Sequence, residues 1–368
     1  MCKSRDGVYN NAAMDFTSRR RKTRQVKVGS LTLGGGAPIT IQAMCSKEAK
    51  TPKAIISQIL QFEKEGCDLV RIAVPNLEIA RAIPEIKKKI HIPLVADIHF
   101  DFRLAIEAIN NGADKIRINP GNIGNVERVE QILAAARKYK TALRLGVNSG
   151  SLETDLLEKF GRPSSEALVA SALRWVKIFE KNKFKNFVIS IKSSGVRETV
   201  EAYEMIAKKC NYPLHLGVTE AGIPPYGSLK SAIGIGALLL LGIGDTIRVS
   251  LSSDDPVEQV RVAHQILKSV GLYNKEPEII ACPSCGRTEI DVIALAKEIE
   301  KRVAKIKKPL KIAVMGCTVN GPGEAREADF GIAGGRGQGA IFKKGKIIKW
   351  IPEAELVDEF MKIIEESL

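Results

Sequence analysis

The chain has 368 residues, of which 45% are apolar and 27% charged, and lysine and arginine exceed aspartate and glutamate by 14. This length fits one large domain followed by a smaller one, and the composition is that of an ordinary globular protein. The longest apolar run, IGIGALLLLGIG, is too short and too rich in glycine to cross a bilayer, which argues against a membrane protein. Seven cysteines and no apolar leader predict a reducing, cytoplasmic location, where thiols serve metals or catalysis.

The first part of the chain predicts a barrel. Residues 1–15 carry no pattern and are interpreted as an N-terminal extension, and the basic segment SRRRKTRQVKVG is interpreted as a strand or tail before the fold. From residue 39 to about 271, β-branched runs alternate with amphipathic helical segments, which indicates a parallel sheet with helical crossovers. Eight near-equal units without a reversal point favour a TIM (β/α)8 barrel over residues 16–272, with an open doubly wound sheet as the alternative.

The predicted strands carry cations where barrel interiors normally hold valine, isoleucine and leucine. These cations lie in the second, fourth, fifth, sixth and eighth strands: Arg71, Arg117, Arg144, Lys192 and Arg248. Clustered buried cations are costly without an anion, so the pattern predicts a small polyanion, a diphosphate, at the C-terminal mouth of the barrel. The alternative is that each cation points outward and pairs with a helix carboxylate.

Further polar residues share these strand faces or end the strands. Residues two apart on a strand face the same side, which groups Asp97 with His99 and Arg248 with Ser250, and Asn148 shares the face of Arg144. His99 is a candidate substrate contact or a structural histidine. Glu220, in TEAG at the end of the seventh strand, is a candidate for proton transfer or a helix cap.

Residues 273–368 predict a separate α+β domain organised around cysteines. Cys282, Cys285 and Cys317 follow the pattern C-x2-C-x31-C, and three thiolates favour zinc or an iron–sulfur cluster. No cysteine or histidine follows Cys317, so the fourth ligand is of another type or absent, and Glu324 is the nearest candidate. A carboxylate binds iron less tightly than a thiolate, which predicts a reactive [4Fe–4S] centre with one exchangeable corner.

Eight motifs, in order and in both domains, closely resemble the 4-hydroxy-3-methylbut-2-enyl diphosphate synthase family. They are ADIHFD, RINPGNIGN, GVNSGSLE, PLHLGVTEAG, SAIGIG, GIGDTIRVSLS, ACPSCGR and GCTVNGPGEA. The resemblance implies a TIM barrel followed by a domain similar to sulfite and nitrite reductase modules. It also implies reductive ring opening of 2-C-methyl-D-erythritol 2,4-cyclodiphosphate to the linear allylic diphosphate, in the methylerythritol phosphate route to isoprenoids.

The resemblance also implies roles for individual residues. The cluster ligands would be Cys282, Cys285, Cys317 and Glu324. The diphosphate contacts would be Arg71, Arg117, Arg144, Lys192, Arg248 and Ser250, with Asn148 nearby. Glu220 would be an acid–base residue, and Asn320 would approach the cluster and the substrate.

The implied partners are a second copy of the chain and reduced flavodoxin or ferredoxin, with no nucleic acid and no membrane. In the implied homodimer, the cluster domain of one chain covers the barrel mouth of the other. The loop after the first strand departs from the family, because Cys45 stands where a threonine is usual, and we expect a thiol near the mouth to be open to oxidation.

Two other functions are weighed against this one. A zinc-stabilised barrel aldolase or isomerase would be colourless when purified anaerobically, whereas an iron–sulfur protein would be brown. A nucleic-acid-binding protein would place its cations on helices or loops among stacking aromatics. Aromatic residues make up only 5% of this chain, and its notable cations lie in strands.

Overall fold

The computed structural model describes residues 20–318, 323 and 325–368. The chain forms two compact units, one ending at Leu272 and the other running from Tyr273 to Leu368. Within the described residues, no helix combines the length and the apolar character that a bilayer crossing requires.

The first unit is a parallel barrel, which confirms the predicted fold class. Its strands, in chain order, are β3 (Thr40–Met44), β4 (Leu69–Ala73), β5 (Leu94–Ile98), β6 (Lys115–Ile118), β7 (Ala142–Asn148), β8 (Phe187–Lys192), β9 (His215–Leu216) and β10 (Thr246–Ile247). They hydrogen-bond in the order β8-β7-β6-β5-β4-β3-β10-β9, and a parallel bridge between Ile189 and Leu214 joins the two ends. Strands β9 and β10 are shorter than their sequence runs predict.

Helices follow the strands and form the outer layer. In chain order they are α1 (Pro52–Lys64), α2 (Leu77–Lys87), α3 (Phe102–Asn110), α4 (Pro120–Ile123), α5 (Val126–Tyr139), α6 (Thr154–Phe160), α7 (Ser165–Lys181), α8 (Val196–Lys209), α9 (Tyr226–Leu240) and α10 (Glu258–Ser269). Side chains such as Thr51 and Asn76 cap the first free amides of their helices, and the apolar face of α1 buries Ile55, Ile59 and Phe62.

A short antiparallel hairpin closes the N-terminal end of the barrel. It consists of β1 (Val26–Val28) and β2 (Leu31–Leu33). Its buried side chains pack against the first inward-facing residues of four barrel strands, namely Leu69, Val95, Ala142 and Val188. The barrel therefore has an apolar floor, and its polar interior lies above that floor.

The basic segment before the hairpin serves the fold. Arg20 pairs with Asp245 at 3.5 Å, and Arg21 donates to the carbonyl oxygens of Cys210 and Tyr212. These arginines thus supply a counter-ion and hydrogen-bond donors to a carboxylate and two carbonyl oxygens at the N-terminal end of the barrel.

In its described residues, the second unit is a mixed sheet of five strands against which helices pack. Its elements are β11 (Glu278–Ala281), α11 (Val292–Val303), β12 (Lys311–Met315), β13 (Phe330–Gly335), β14 (Gln338–Lys343), β15 (Lys346–Pro352) and α12 (Leu356–Glu366). Strands β11, β12 and β13 are parallel, and β13, β14 and β15 form an antiparallel meander. Residues of α11 and α12, among them Ile299 and Phe360, pack into its core.

Candidate functional site

Five cationic side chains converge inside the barrel, and we call this group the cationic pocket: Arg71, Arg117, Arg144, Lys192 and Arg248. Arg144 is 1% exposed and Lys192 is 5% exposed. Burial, followed by repulsion from Arg71, Arg117 and Arg248, lowers the pKa of Arg144 well below its ordinary value. The buried members of the pocket, Arg71, Arg117, Arg144 and Lys192, therefore do not point outward to solvent, which rules out the alternative for them.

Asp97 is the acidic side chain at the centre of this pocket, and it is fully buried. Its carboxylate lies 3.2 Å from Arg71 Nη2, 3.3 Å from Arg117 Nη1 and 3.4 Å from His99 Nε2. Burial alone would raise the pKa of Asp97, but the attraction of the neighbouring cations outweighs it and lowers the pKa to about 2. Asp97 therefore stays ionised and fixes the two guanidinium groups.

Two glycines make room for the cations. A Cβ atom on Gly146 would lie 2.9 Å from Arg117 Nε, and one on Gly217 would lie 2.6 Å from Lys192 Nζ. With its amide oriented so that both atoms are paired, Asn148 accepts a hydrogen bond from Arg117 Nη2 at 3.0 Å. Neither glycine was singled out from the sequence, because the side chains that occupy the space of a Cβ atom come from other strands.

The pocket retains unused donors. Several buried atoms, including Arg144 Nε and Nη1, Lys192 Nζ, Arg248 Nε and Ser250 Oγ, lack a hydrogen-bond partner in the part of the chain that the structure describes. Burial and repulsion from Arg71 lower the pKa of Arg248 to about 9, and burial with repulsion from Arg248 lowers that of Lys192 well below its usual value. Uncompensated positive charge with free donors is the arrangement that binds a small polyanion.

We expect the Asp97→Asn substitution to destabilise the free protein by about 3–5 kcal/mol, because it leaves two buried guanidinium groups without their counter-ion. The matched control is Asp155→Asn, which breaks a surface pair with Arg174 and should cost at most about 1 kcal/mol. Urea unfolding of both variants measures the difference.

The low pKa of Asp97 gives this stabilisation a pH dependence. Since the folded-state pKa lies below the ordinary value, the contribution is present above about pH 4 and is lost as pH falls towards 2. Equal losses of stability in Asp97→Asn and Asp155→Asn would contradict the central role of Asp97.

The mouth of the barrel carries the remaining predicted residues of this unit. His99 is exposed at the end of β5, and Glu220 is exposed in the loop after β9. Hydrogen bonds from Thr219 N to Ser193 O and from Ser252 N to Gly222 O tie the Glu220 loop to the loops after β8 and β10. Glu220 has a φ of 51°, a left-handed conformation that costs a glutamate energy and is typical of functional positions.

Cys45 lies in the loop after β3. Burial, with a smaller effect of Cys67, raises the pKa of its thiol to about 12. Because the thiolate is the reactive form, the raised pKa argues against the expectation that Cys45 is open to oxidation.

A second polar group lies deeper in the barrel and was missed in the sequence. Lys115 precedes Arg117 by two residues on β6, and it faces the same interior as His215 of β9 and Gln42 of β3. All three side chains are at most 1% exposed. The spacing of two between Lys115 and Arg117 was the available signal.

In the second unit, the cysteine loops leave neighbouring parallel strands. Cys282 follows β11 directly, and Cys317 lies two residues after β12. The amide of Gly316 donates to Cys282 Sγ at 3.1 Å, and a backbone hydrogen bond from Arg287 lowers the pKa of the exposed Cys285 thiol. The six cysteines in the described part of the chain are free.

The donor set fits an iron–sulfur group, although the described residues do not form a complete site. Among them, no three cysteine, histidine or acidic side chains lie together as a set of metal ligands. Three thiols on two loops at one sheet edge are nevertheless the soft ligands that such clusters select. The predicted residues Asn320 and Glu324 lie outside the described residues.

Comparison with known proteins matches each of the two units to a domain of the same protein family. The model of the GcpE TIM-barrel domain matches residues 23–264, and that of the GcpE protein C-terminal domain matches residues 278–366. The 4-hydroxy-3-methylbut-2-en-1-yl diphosphate synthase (flavodoxin) of Caldanaerobacter subterraneus subsp. tengcongensis is 55% identical, over 95% of this chain and 98% of the relative. The Clostridium acetobutylicum protein of the same name is 56% identical, over 94% of this chain and 99% of the relative.

Among solved structures, dihydropteroate synthase from Stenotrophomonas maltophilia covers 67% of this chain and 99% of its own, with a TM-score of 0.48 and 13% identity. A likeness this distant carries no information about the reaction.

A TIM barrel followed by a cysteine-bearing α+β domain, each matched to the same family, defines an iron–sulfur oxidoreductase. The chain belongs to the GcpE family, the 4-hydroxy-3-methylbut-2-en-1-yl diphosphate synthases of isoprenoid biosynthesis. This confirms the family inferred from the sequence motifs.

Proposed function

We propose that this chain converts 2-C-methyl-D-erythritol 2,4-cyclodiphosphate into 4-hydroxy-3-methylbut-2-enyl diphosphate in the cytoplasm. The ring C–O bond to phosphate breaks, an oxygen leaves as water, and two electrons and a proton are consumed. The cationic pocket is the observation that carries the proposal, because its buried, partly unpaired donors match a diphosphate in charge and in hydrogen-bonding capacity.

The barrel would bind and orient the diphosphate. Arg71 and Arg117, held by Asp97, present fixed guanidinium groups, and Arg144, Lys192 and Arg248 complete the cationic wall. Ser250 offers a hydroxyl, and Asn148 orients Arg117. Anchoring the diphosphate in this way would fix the ring C–O bond at the mouth.

Two residues at the mouth would act on the substrate carbon skeleton. Glu220 is exposed in a fixed left-handed conformation, and in our proposal its carboxyl group delivers the proton to the departing oxygen. His99 contacts Asp97 through Nε2 and would bind the substrate beside the pocket. We assign Asn320 a position next to the substrate on the basis of its motif alone.

We propose that the iron–sulfur group is a [4Fe–4S] cluster held by Cys282, Cys285, Cys317 and Glu324. When bound there, it supplies electrons one at a time and a Lewis-acidic iron for an oxygen ligand. The hydrogen bond from Gly316 to Cys282 Sγ and the lowered pKa of Cys285 both favour the thiolate forms that ligation requires.

Reduced flavodoxin is the electron donor we propose, since the relatives carry flavodoxin in their names, with ferredoxin as the other candidate. Anaerobic turnover of the cyclodiphosphate, followed by product detection, tests the whole proposal. We expect the linear diphosphate with either a chemical reductant or reduced flavodoxin. A protein with intact iron–sulfur absorbance that forms no product would refute the proposed reaction.

We further propose that the chain is a homodimer that pairs through the exposed apolar face of α9. This face is formed by Tyr226, Leu229, Ile233 and Leu240, whose side chains are 46–69% exposed. Their spacing of three, four and seven residues places them on one side of the helix. A contiguous exposed apolar stripe of this kind marks an interaction surface.

Replacing Ile233 by glutamate is expected to convert the dimer into a monomer, because the charge would be buried without a partner in the interface. Sedimentation velocity measures the change. The control is Leu60→Glu on α1, an isolated leucine that is 41% exposed and should leave the dimer intact. A dimer that persists in Ile233→Glu would show that another surface is used.

A further inference from the structure

The layer beneath the cationic pocket contains polar side chains that the proposed reaction does not use. Lys115 and His215 are fully buried, and Gln42 is 1% exposed. Lys115 Nζ, His215 Nε2 and both amide atoms of Gln42 lack a hydrogen-bond partner within residues 20–318. Such groups are expensive to bury, so their retention calls for an explanation beyond packing.

In the described part of the chain, this layer adjoins the apolar floor on one side and the cationic pocket on the other. The apolar floor made by β1, β2 and the first inward residues of β4, β5, β7 and β8 seals the N-terminal end. Lys115 lies on β6 between the strands that carry Val95 and Ala142, with which it is in register. An anion that binds in the pocket would therefore change the electrostatic potential at Lys115.

Titratable and charged groups from most of the strands face the interior that contains Lys115. They are Arg71 on β4, Asp97 on β5, Arg117 on β6, Arg144 on β7, Lys192 on β8, His215 on β9 and Arg248 directly after β10. Burial, then repulsion from Arg144 and Arg71, lowers the pKa of Lys115 well below its ordinary value. Positive neighbours thus favour the neutral amine in the free barrel.

We propose that Lys115 is a proton-binding residue that adjusts the charge of the barrel interior to its ligand, being a neutral amine in the free enzyme and an ammonium when a diphosphate occupies the pocket. The inference rests on the proposed diphosphate site. The bound anion offsets the repulsion that Arg144 and Arg71 exert on Lys115. Lys115 then takes up a proton from solvent and becomes a cation below the ligand. Lys115 does not touch the reacting atoms, so it is a positioning residue.

Lys115 is better suited to this role than its neighbours. Burial, followed by repulsion from Arg144, lowers the pKa of His215 well below its ordinary value, which already lies several units below that of a lysine. Lys192 lies at the end of β8 next to the ligand and would contribute its own proton. Substituting Lys115 removes only the proton uptake that is due to Lys115, and this loss separates its contribution from that of Lys192.

Isothermal titration of the full-length, cluster-loaded protein with inorganic pyrophosphate tests this proposal. The same titration in buffers of different ionisation enthalpy gives the number of protons taken up. Lys115→Met is expected to take up about one proton fewer than the wild type at neutral pH, and its affinity should fall less steeply with rising pH, by up to about tenfold per pH unit. The dissociation constant at pH 7 should change by no more than about tenfold, since Lys115 acts from below the ligand.

The control is Lys208→Met, an exposed lysine at the end of α8, which should match the wild type in both measurements. Lys115→Gln repeats the test if the methionine variant does not fold. Pyrophosphate binding with unchanged proton uptake in the Lys115 variants would overturn the inference and leave the proposed function standing. No pyrophosphate binding by the wild type would overturn both.

Discussion

Replacing Glu324 by cysteine is expected to leave the iron–sulfur absorbance in place and to reduce turnover to less than about 1% of the wild type, because a fourth thiolate closes the exchangeable position. The variant should still bind pyrophosphate as the wild type does, since the pocket lies in the barrel. Visible spectra, iron content and anaerobic turnover measure the three properties on one preparation.

The matched variant is Cys285→Ser, which removes a thiolate instead of adding one. It should lose both the absorbance and turnover. Full activity in Glu324→Cys would remove the carboxylate from the mechanism, whereas loss of absorbance in that variant would show that Glu324 supports cluster assembly rather than reactivity.

Replacing Arg144 by methionine is expected to raise the dissociation constant for pyrophosphate by about 100-fold, near 3 kcal/mol, with a similar fall in kcat/KM. Arg144 is 1% exposed, and two of its guanidinium nitrogens lack a partner in the described part of the chain. Its repulsion from Arg71, Arg117 and Arg248 disappears in the variant. The ligand-free protein should therefore become more stable, by about 1–4 kcal/mol.

These opposite effects on binding and stability separate a ligand-binding role from a structural one. Pyrophosphate titration and urea unfolding of the same variant measure them. Arg137→Met, on the exposed side of α5, is the control and should change neither quantity appreciably. A fall in stability together with weaker binding would indicate that Arg144 supports the fold instead.

The barrel was predictable because its signals are local. Runs such as DLVRIAVP and TALRLGVN alternate with helical periodicity, and a cation inside an otherwise β-branched run is visible in a single sequence. The pairing of Arg71 and Arg117 through one carboxylate was not predictable. Asp97 lies on a third strand, and the distances depend on the tilt of the sheet.

The missed features depend on contacts between distant segments. Gly146 and Gly217 matter because side chains from neighbouring strands occupy the space of a Cβ atom. The segment that begins the floor hairpin was predicted as a basic strand or tail, and only its packing against Leu69 and Val188 shows that it closes the barrel. The spacing of the three cysteines predicted soft ligands, but two spacings cannot specify how the loops that carry them approach one another.

The hairpin under the barrel has a kinetic consequence. In the described part of the chain, apolar side chains close the N-terminal end of the barrel, which leaves the C-terminal mouth as the way into its interior. If the barrel binds the diphosphate as we propose, product leaves through the opening by which the next substrate enters, and we expect product inhibition that is competitive with substrate.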